Sequence, residues 1–192
     1  HHGPEIDLHV AAMLPEQFLP DVHARLVLYK RISGVELEAD LDDLQAETVD
    51  RFGSLPEPAR NLFRIARLRV GAARLGIERL DVGATGGSVT FSDSTPVDPG
   101  ALILLVQKSA RALRFDGPNK VRFSGNFAEP EEKFVIAQAQ LDAWVEHYNH
   151  ERPHQGIGMV APIRRFELAA VDRDVQAAPP RALGPEPEQP SA

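Results

Sequence analysis

The chain has 192 residues, 43% hydrophobic and 26% charged, with a formal net charge of −7 and no cysteine. That length holds one ordinary domain with extensions, and the missing cysteine excludes disulfides and thiolate metal sites while fitting a cytoplasmic setting. An excess of 28 acids over 21 bases argues against direct nucleic-acid binding through phosphate contacts, which calls for a basic surface.

In chain order, Glu5–Val10 alternates apolar and polar residues as a short strand does. Pro20 suits the first turn of a helix running to about Ser33, on which Val22, Leu26, Tyr29 and Ile32 share one face. A second helix, about Ala39 to Phe52, presents Leu41, Leu44, Val49 and Phe52 and stops at Gly53. The third begins near Pro56, carries Leu62, Phe63, Ile65, Leu68 and Leu75, and ends at Gly76. Strands follow at Ile77–Val82 and Val89–Phe91, joined by a turn over Gly83–Ser88. After a short helix at about Val97–Ser109, Ala112–Phe115 and Lys120–Phe123 flank the turn sequence Asp116-Gly117-Pro118-Asn119 and predict a hairpin. A long amphipathic helix from about Glu129 to His150 aligns Phe134, Leu141, Trp144, Val145 and Tyr148, and Pro153 ends it. From Asp172 the composition turns to Pro, Ala, Glu and Gln, that of a disordered tail. The fold class is therefore α+β: a helical half, then short antiparallel strands and hairpins with a helix, then the long helix and the tail. No apolar run approaches the roughly 20 residues of a membrane span, no signal pattern opens the chain, and a first residue of His1 is what a piece of a longer protein would show.

Several motifs invite chemistry. His150-Glu151-Arg152-Pro153-His154 satisfies H-E-x-x-H, a zinc motif that requires both histidines on one face of an unbroken helix. Pro153 lacks an N–H and pushes Arg152 out of helical angles, so His154 does not fall one turn below His150 and no metal site is expected. The glycine-rich Gly83–Ser88 has no following lysine and is no Walker-type phosphate loop. Glu36, Glu38, Asp40, Asp42 and Asp43 lack the glycine and closing glutamate of an EF-hand loop, and acids at a helix start are favoured by the macrodipole. Arg60, Arg64, Arg67, Arg69 and Arg74 make the third helix basic, which reads first as a solvated face and second as a stripe for nucleic acid or a partner. No catalytic constellation and no cofactor site emerges.

Two resemblances organise the rest. Leu14-Pro15-Glu16, Leu19-Pro20-Asp21-Val22, Arg25-Leu26, Tyr29-Lys30-Arg31-Ile32, Asp50-Arg51-Phe52-Gly53, Leu55-Pro56-Glu57-Pro58-Ala59-Arg60-Asn61-Leu62, Ile65-Ala66-Arg67-Leu68-Arg69, Leu75-Gly76-Ile77, Phe115-Asp116-Gly117-Pro118 and Val121-Arg122-Phe123 occur in order over roughly residues 5 to 130. They resemble the C-terminal domain of the bacterial transcription-repair coupling factor. In that family the motor, the RNA-polymerase-binding domain and a UvrB-like module lie upstream. The resemblance implies a non-catalytic domain that packs on the UvrB-like module and masks its UvrA-binding surface. It also places the family's contact cluster at Glu47, Asp50 and Arg51, positions i, i+3 and i+4 of one helical face. Read from the residues alone, these three are helix-surface charge with an arginine near the helix end.

The second resemblance is shorter. Ala139-Gln140-Leu141-Asp142-Ala143-Trp144, Tyr148 through Gln155, Gly158-Met159, Ala161-Pro162 and Arg164-Arg165-Phe166 are similar to the C-terminal end of insertion-sequence transposases with a DDE integrase core. That segment follows the catalytic core and carries none of its metal-binding carboxylates. The expected organisation is a repair-factor domain over 1–133, a transposase remnant over 134–170 and a disordered tail over 171–192. The alternative function is a transposase-derived DNA-binding fragment.

Overall fold

The computed structural model describes residues 3–149, with side chains through residue 146. Its elements are β1 (Glu5–Asp7), α1 (Val22–Gly34), α2 (Glu38–Phe52), α3 (Glu57–Arg74), β2 (Ile77–Val82), β3 (Gly86–Phe91), α4 (Pro99–Lys108), β4 (Leu113–Phe115), β5 (Lys120–Ser124) and α5 (Pro130–Asn149). The expected tail and the H-E-x-x-H segment lie outside the described residues.

Local chemistry explains most boundaries. Asp21 rather than Pro20 starts α1, its carboxylate accepting from the His23 and Ala24 amides at 2.9 and 3.4 Å. Gly53, at φ 92°, closes α2 where an L side chain would be strained. Gly76 turns the chain from α3 into β2 at φ 63°, and a Cβ there would sit 2.6 Å from the Thr95 backbone. The Asp116–Asn119 hairpin forms as its sequence predicts, with the Asp116 amide donating to the Lys120 carbonyl at 2.8 Å.

The five strands form one sheet in the order β1-β2-β3-β5-β4. All neighbours are antiparallel except β1 and β2, which run parallel with Asp7 opposite Asp81. The hairpin strands after the helical half pair antiparallel as expected, while the sequence reading assigned β1 no partner. The three helices between β1 and β2 supply the long crossover that a parallel pair needs. β3 also begins earlier than expected, at Gly86, because Gly86 and Gly87 pair with Ser124 and Phe123. A side chain at position 87 would run into the Asp81 carbonyl and the Phe123 ring, so the glycines serve close packing within the sheet rather than a wide turn.

Two cores share α3. Phe63, Ala59 and Ala66 join Leu28, Ile32, Leu41 and Leu44 in a helical cluster. Leu68, Ala72 and Leu75 join the sheet, α4 and α5, where Phe123, Phe134, Leu141 and Trp144 are buried. Trp144 meets Phe91 edge to face at 5.3 Å, an arrangement that adds about 0.5–1.5 kcal/mol beyond burial.

Two expectations about buried faces are corrected. On α1 the core takes Ile32 as expected and Leu28 beside it, while Val22 and Leu26 are 59% and 62% exposed. On α2 Thr48 is buried and Val49 exposed. The Thr48 hydroxyl donates to the Leu44 carbonyl at 2.7 Å, which satisfies its polar group in the core.

Candidate functional site

The α2 face offers three charges in one turn and a half. Glu47 is half-buried; Asp50 and Arg51 are exposed. Arg31, in the last turn of α1, reaches across and donates from both terminal nitrogens to both Glu47 oxygens, at 2.8 and 2.7 Å. This forked pairing matches a planar guanidinium to a carboxylate. Arg51 approaches the same carboxylate at 3.6 Å and lies 5.0 Å above the Phe52 ring. The Arg31 hydrogen bond, followed by the charges of Arg31 and Arg51, holds the Glu47 carboxyl below its ordinary value. The Arg31 guanidinium is raised in turn by its bond to Glu47.

Asp50 stands apart from that triad. It lines a shallow depression with Asp42, Ala46, Val49 and Arg67. Arg31 and Glu47 line a second depression, at the α1–α2 junction, together with Val35, Leu37 and Asp43. Of the residues in this region, the sequence reading included Glu47, Asp50 and Arg51 and missed Arg31. The available signal was a basic residue closing α1, but its partner lies 16 positions away on another helix.

The arginines of α3 are largely consumed within the fold. Arg64 forms a fork on Glu131 at 2.7 and 2.9 Å and lies 3.8 Å above the Phe134 ring, clasping α5. Arg67 pairs with Asp42 of α2. Arg69 donates to the Ile32 and Val35 carbonyls at 2.9 and 3.3 Å, covering the open end of α1, and its burial pushes its pKa down. Arg64, Arg67 and Arg69 are thus bound to neighbouring elements rather than forming the solvated face that the sequence suggested first. Among the described residues, one group brings metal-ligating atoms together: Asp7, His9 and Asp81, within 4.8 Å of one another. Arg79 already approaches Asp81 at 3.4 Å and pairs with Glu5 at 2.9 Å. No described helix is long and apolar enough to cross a membrane.

Residues 8–102 match the TRCF domain family, and residues 119–162 match the integrase core domain family. The chain is 42% identical over 125 residues to the transcription-repair-coupling factors of Escherichia coli and of Haemophilus influenzae, covering 65% of this chain in each case. It spans only 11% of the length of those two relatives. The crystal structure of a C-terminal domain of transcription-repair coupling factor superposes with a TM-score of 0.55 at 18% identity, covering 72% of this chain and 93% of that one. At that identity the superposition speaks for the fold. The integrase-like match overlaps the fold itself, since Val121, Phe123, Phe127, Phe134 and Trp144 all lie within it and all belong to the sheet core. The first two thirds of the chain therefore resemble, in sequence and in fold, the C-terminal domain of transcription-repair coupling factors, and an integrase-like segment follows and overlaps them.

Proposed function

We propose that this chain is a non-catalytic, protein-binding domain of transcription-coupled DNA repair, which docks on a UvrB-like module and masks that module's UvrA-binding surface. The observation that carries this reading is the match of residues 8–102 to the TRCF domain, the segment that contains the whole α2 face. The charged face gives the reading a physical form. Glu47, Asp50 and Arg51 meet complementary charges on the partner and form charge-assisted hydrogen bonds as water leaves the interface. Partners beyond the UvrB-like module, UvrA and RNA polymerase, are reached only through the parent assembly, and the setting is the cytoplasm. The chain is divided into a repair-factor domain over 1–133, a transposase-derived segment over 134–170 and a tail over 171–192. Without a Walker-type loop in its sequence, the chain has no phosphate cradle for ATP hydrolysis of its own.

The test is binding to a separately expressed UvrB-like module from the Escherichia coli relative, at low and physiological salt. Asp50→Arg is expected to weaken docking by about 2–5 kcal/mol where the pair becomes buried, with the melting temperature of the chain nearly unchanged. Docking that survives this reversal would remove the assignment of the face.

The integrase-like match over residues 119–162 favours a second reading, a transposase-derived fragment that binds DNA. Salt-dependent affinity for duplex DNA, with no affinity for the UvrB-like module, would support it instead.

A further inference from the structure

We infer that Arg31 belongs to the docking face as a positioning residue: its fork on Glu47 holds that carboxylate, and through it Arg51, in the arrangement a partner reads. This rests on the α2-face reading above and adds a residue from a different helix to it.

The geometry supplies the reasons. Glu47 and Arg51 are long side chains on a helix surface, and left to themselves they would sample many rotamers that docking must then freeze. Arg31 removes that freedom for Glu47 by engaging both oxygens at 2.8 and 2.7 Å. A lysine could not do the same, because a single ammonium cannot form the fork. Arg31 is itself steered to the place, since it closes α1 at the negative end of the helix dipole. Glu47 is not exhausted by the clamp. A carboxylate offers roughly four lone-pair positions, and Arg31 takes two, so a further donor can still bind. Asp50, one turn along, has no ion-pair partner among the described residues. A partner that fits this face therefore brings a cation to the Glu47–Asp50 side and an acceptor to Arg51.

The experiment titrates the UvrB-like module of the Escherichia coli relative into the full chain and into Arg31→Ala, Arg31→Lys, Glu47→Gln, Arg31→Ala/Glu47→Gln and Asp50→Arg. Melting curves accompany each variant, and an exposed pair of this kind leaves them nearly unmoved. Arg31→Ala is expected to weaken docking about three- to tenfold, the range for one long side chain left unordered. Arg31→Lys should recover little of that loss. In the Glu47→Gln background the Arg31→Ala effect should shrink markedly, because the two residues act as one unit. Unchanged or tighter docking by Arg31→Ala, with Asp50→Arg still damaging, overturns this inference alone. An Arg31→Ala loss that persists in full beside Glu47→Gln also overturns it, since Arg31 would then touch the partner directly. Failure of the unsubstituted chain to bind, or indifference to Asp50→Arg, overturns the underlying reading and this inference with it.

Discussion

Replacing Gln140 with leucine should stabilise the protein. Gln140 lies on the inner side of α5, is fully buried, and neither its amide nitrogen nor its oxygen has a hydrogen-bond partner among the described residues. Its neighbours along the helix, Ile136, Ala137, Leu141, Ala143 and Trp144, are all buried in the sheet core. An orphaned buried amide carries a desolvation penalty of about 1–3 kcal/mol, and leucine removes that penalty. Leucine is also as good a helix former as glutamine, so the helix itself is not weakened. The cost on the other side is a change of shape: a branched side chain in a packed site costs less than about 1.5 kcal/mol when volume is nearly conserved. The net expectation is a gain of about 1–2 kcal/mol, or roughly 2–8 °C in Tm for a chain of this size. Gln140→Met, which keeps the unbranched stem, should do at least as well because it asks for less repacking. Urea unfolding at neutral pH, followed by far-UV circular dichroism, measures the change as a shift in midpoint at constant slope. Destabilisation of about 1 kcal/mol or more by both substitutions would refute the reasoning, because it would mean that the amide is satisfied in solution.

Three further outcomes follow from the same contacts. Gly87→Val should cost several kcal/mol, about 2–4, since the new side chain must displace the Asp81 backbone or the Phe123 ring; a midpoint shift of under 1 kcal/mol in urea would show that the sheet yields easily there. Acid should weaken the fold only slightly from about pH 4.5 downward, because the ion pairs involved are exposed and screened by solvent. Glu47, Glu131 and Asp116 are all held below their ordinary values, first by hydrogen bonds from Arg31, Arg64 and Arg122 respectively, so the stability they contribute is present above the unfolded values of 4.5 and 3.8 and is lost as pH falls through the lower folded ones. Glu131→Gln should flatten the Tm-against-pH curve in that window, and an unaltered slope would count against the Arg64 fork. Truncation after Asn149 should change stability by less than about 1 kcal/mol, because the described core is complete at Trp144 and Val145; a loss of several kcal/mol would make the C-terminal segment part of the fold.

Much of this protein could be read from neighbours in the chain. Asp21 before α1, Gly53 and Gly76 after α2 and α3, and Asp116–Asn119 between β4 and β5 act over a few residues. Caps, left-handed glycines and turn residues therefore announce the order of elements directly from the sequence. The resemblance to the repair-factor domain was legible for a related reason, since it rests on short motifs recurring in a set order.

What the sequence did not reveal depends on groups distant in the chain. Periodicity on α1 selected Val22, Leu26, Tyr29 and Ile32, yet tertiary packing covers Leu28 beside Ile32 and leaves Val22 and Leu26 exposed. The parallel pairing of β1 with β2 joins positions 74 apart, such as Glu5 and Arg79, and no local pattern encodes that register. The arginines of α3 look free on a helical wheel, and only packing brings Asp42, Glu131 and the open end of α1 within their reach. The candidate site divides in the same way. Glu47, Asp50 and Arg51 share a face by helical spacing alone, whereas Arg31 joins them because two helices meet after a three-residue connection and a guanidinium fork happens to span the gap. Local conformation is set by interactions between adjacent residues, while the partner of each exposed charge is set by topology, which is a property of the folded chain as a whole.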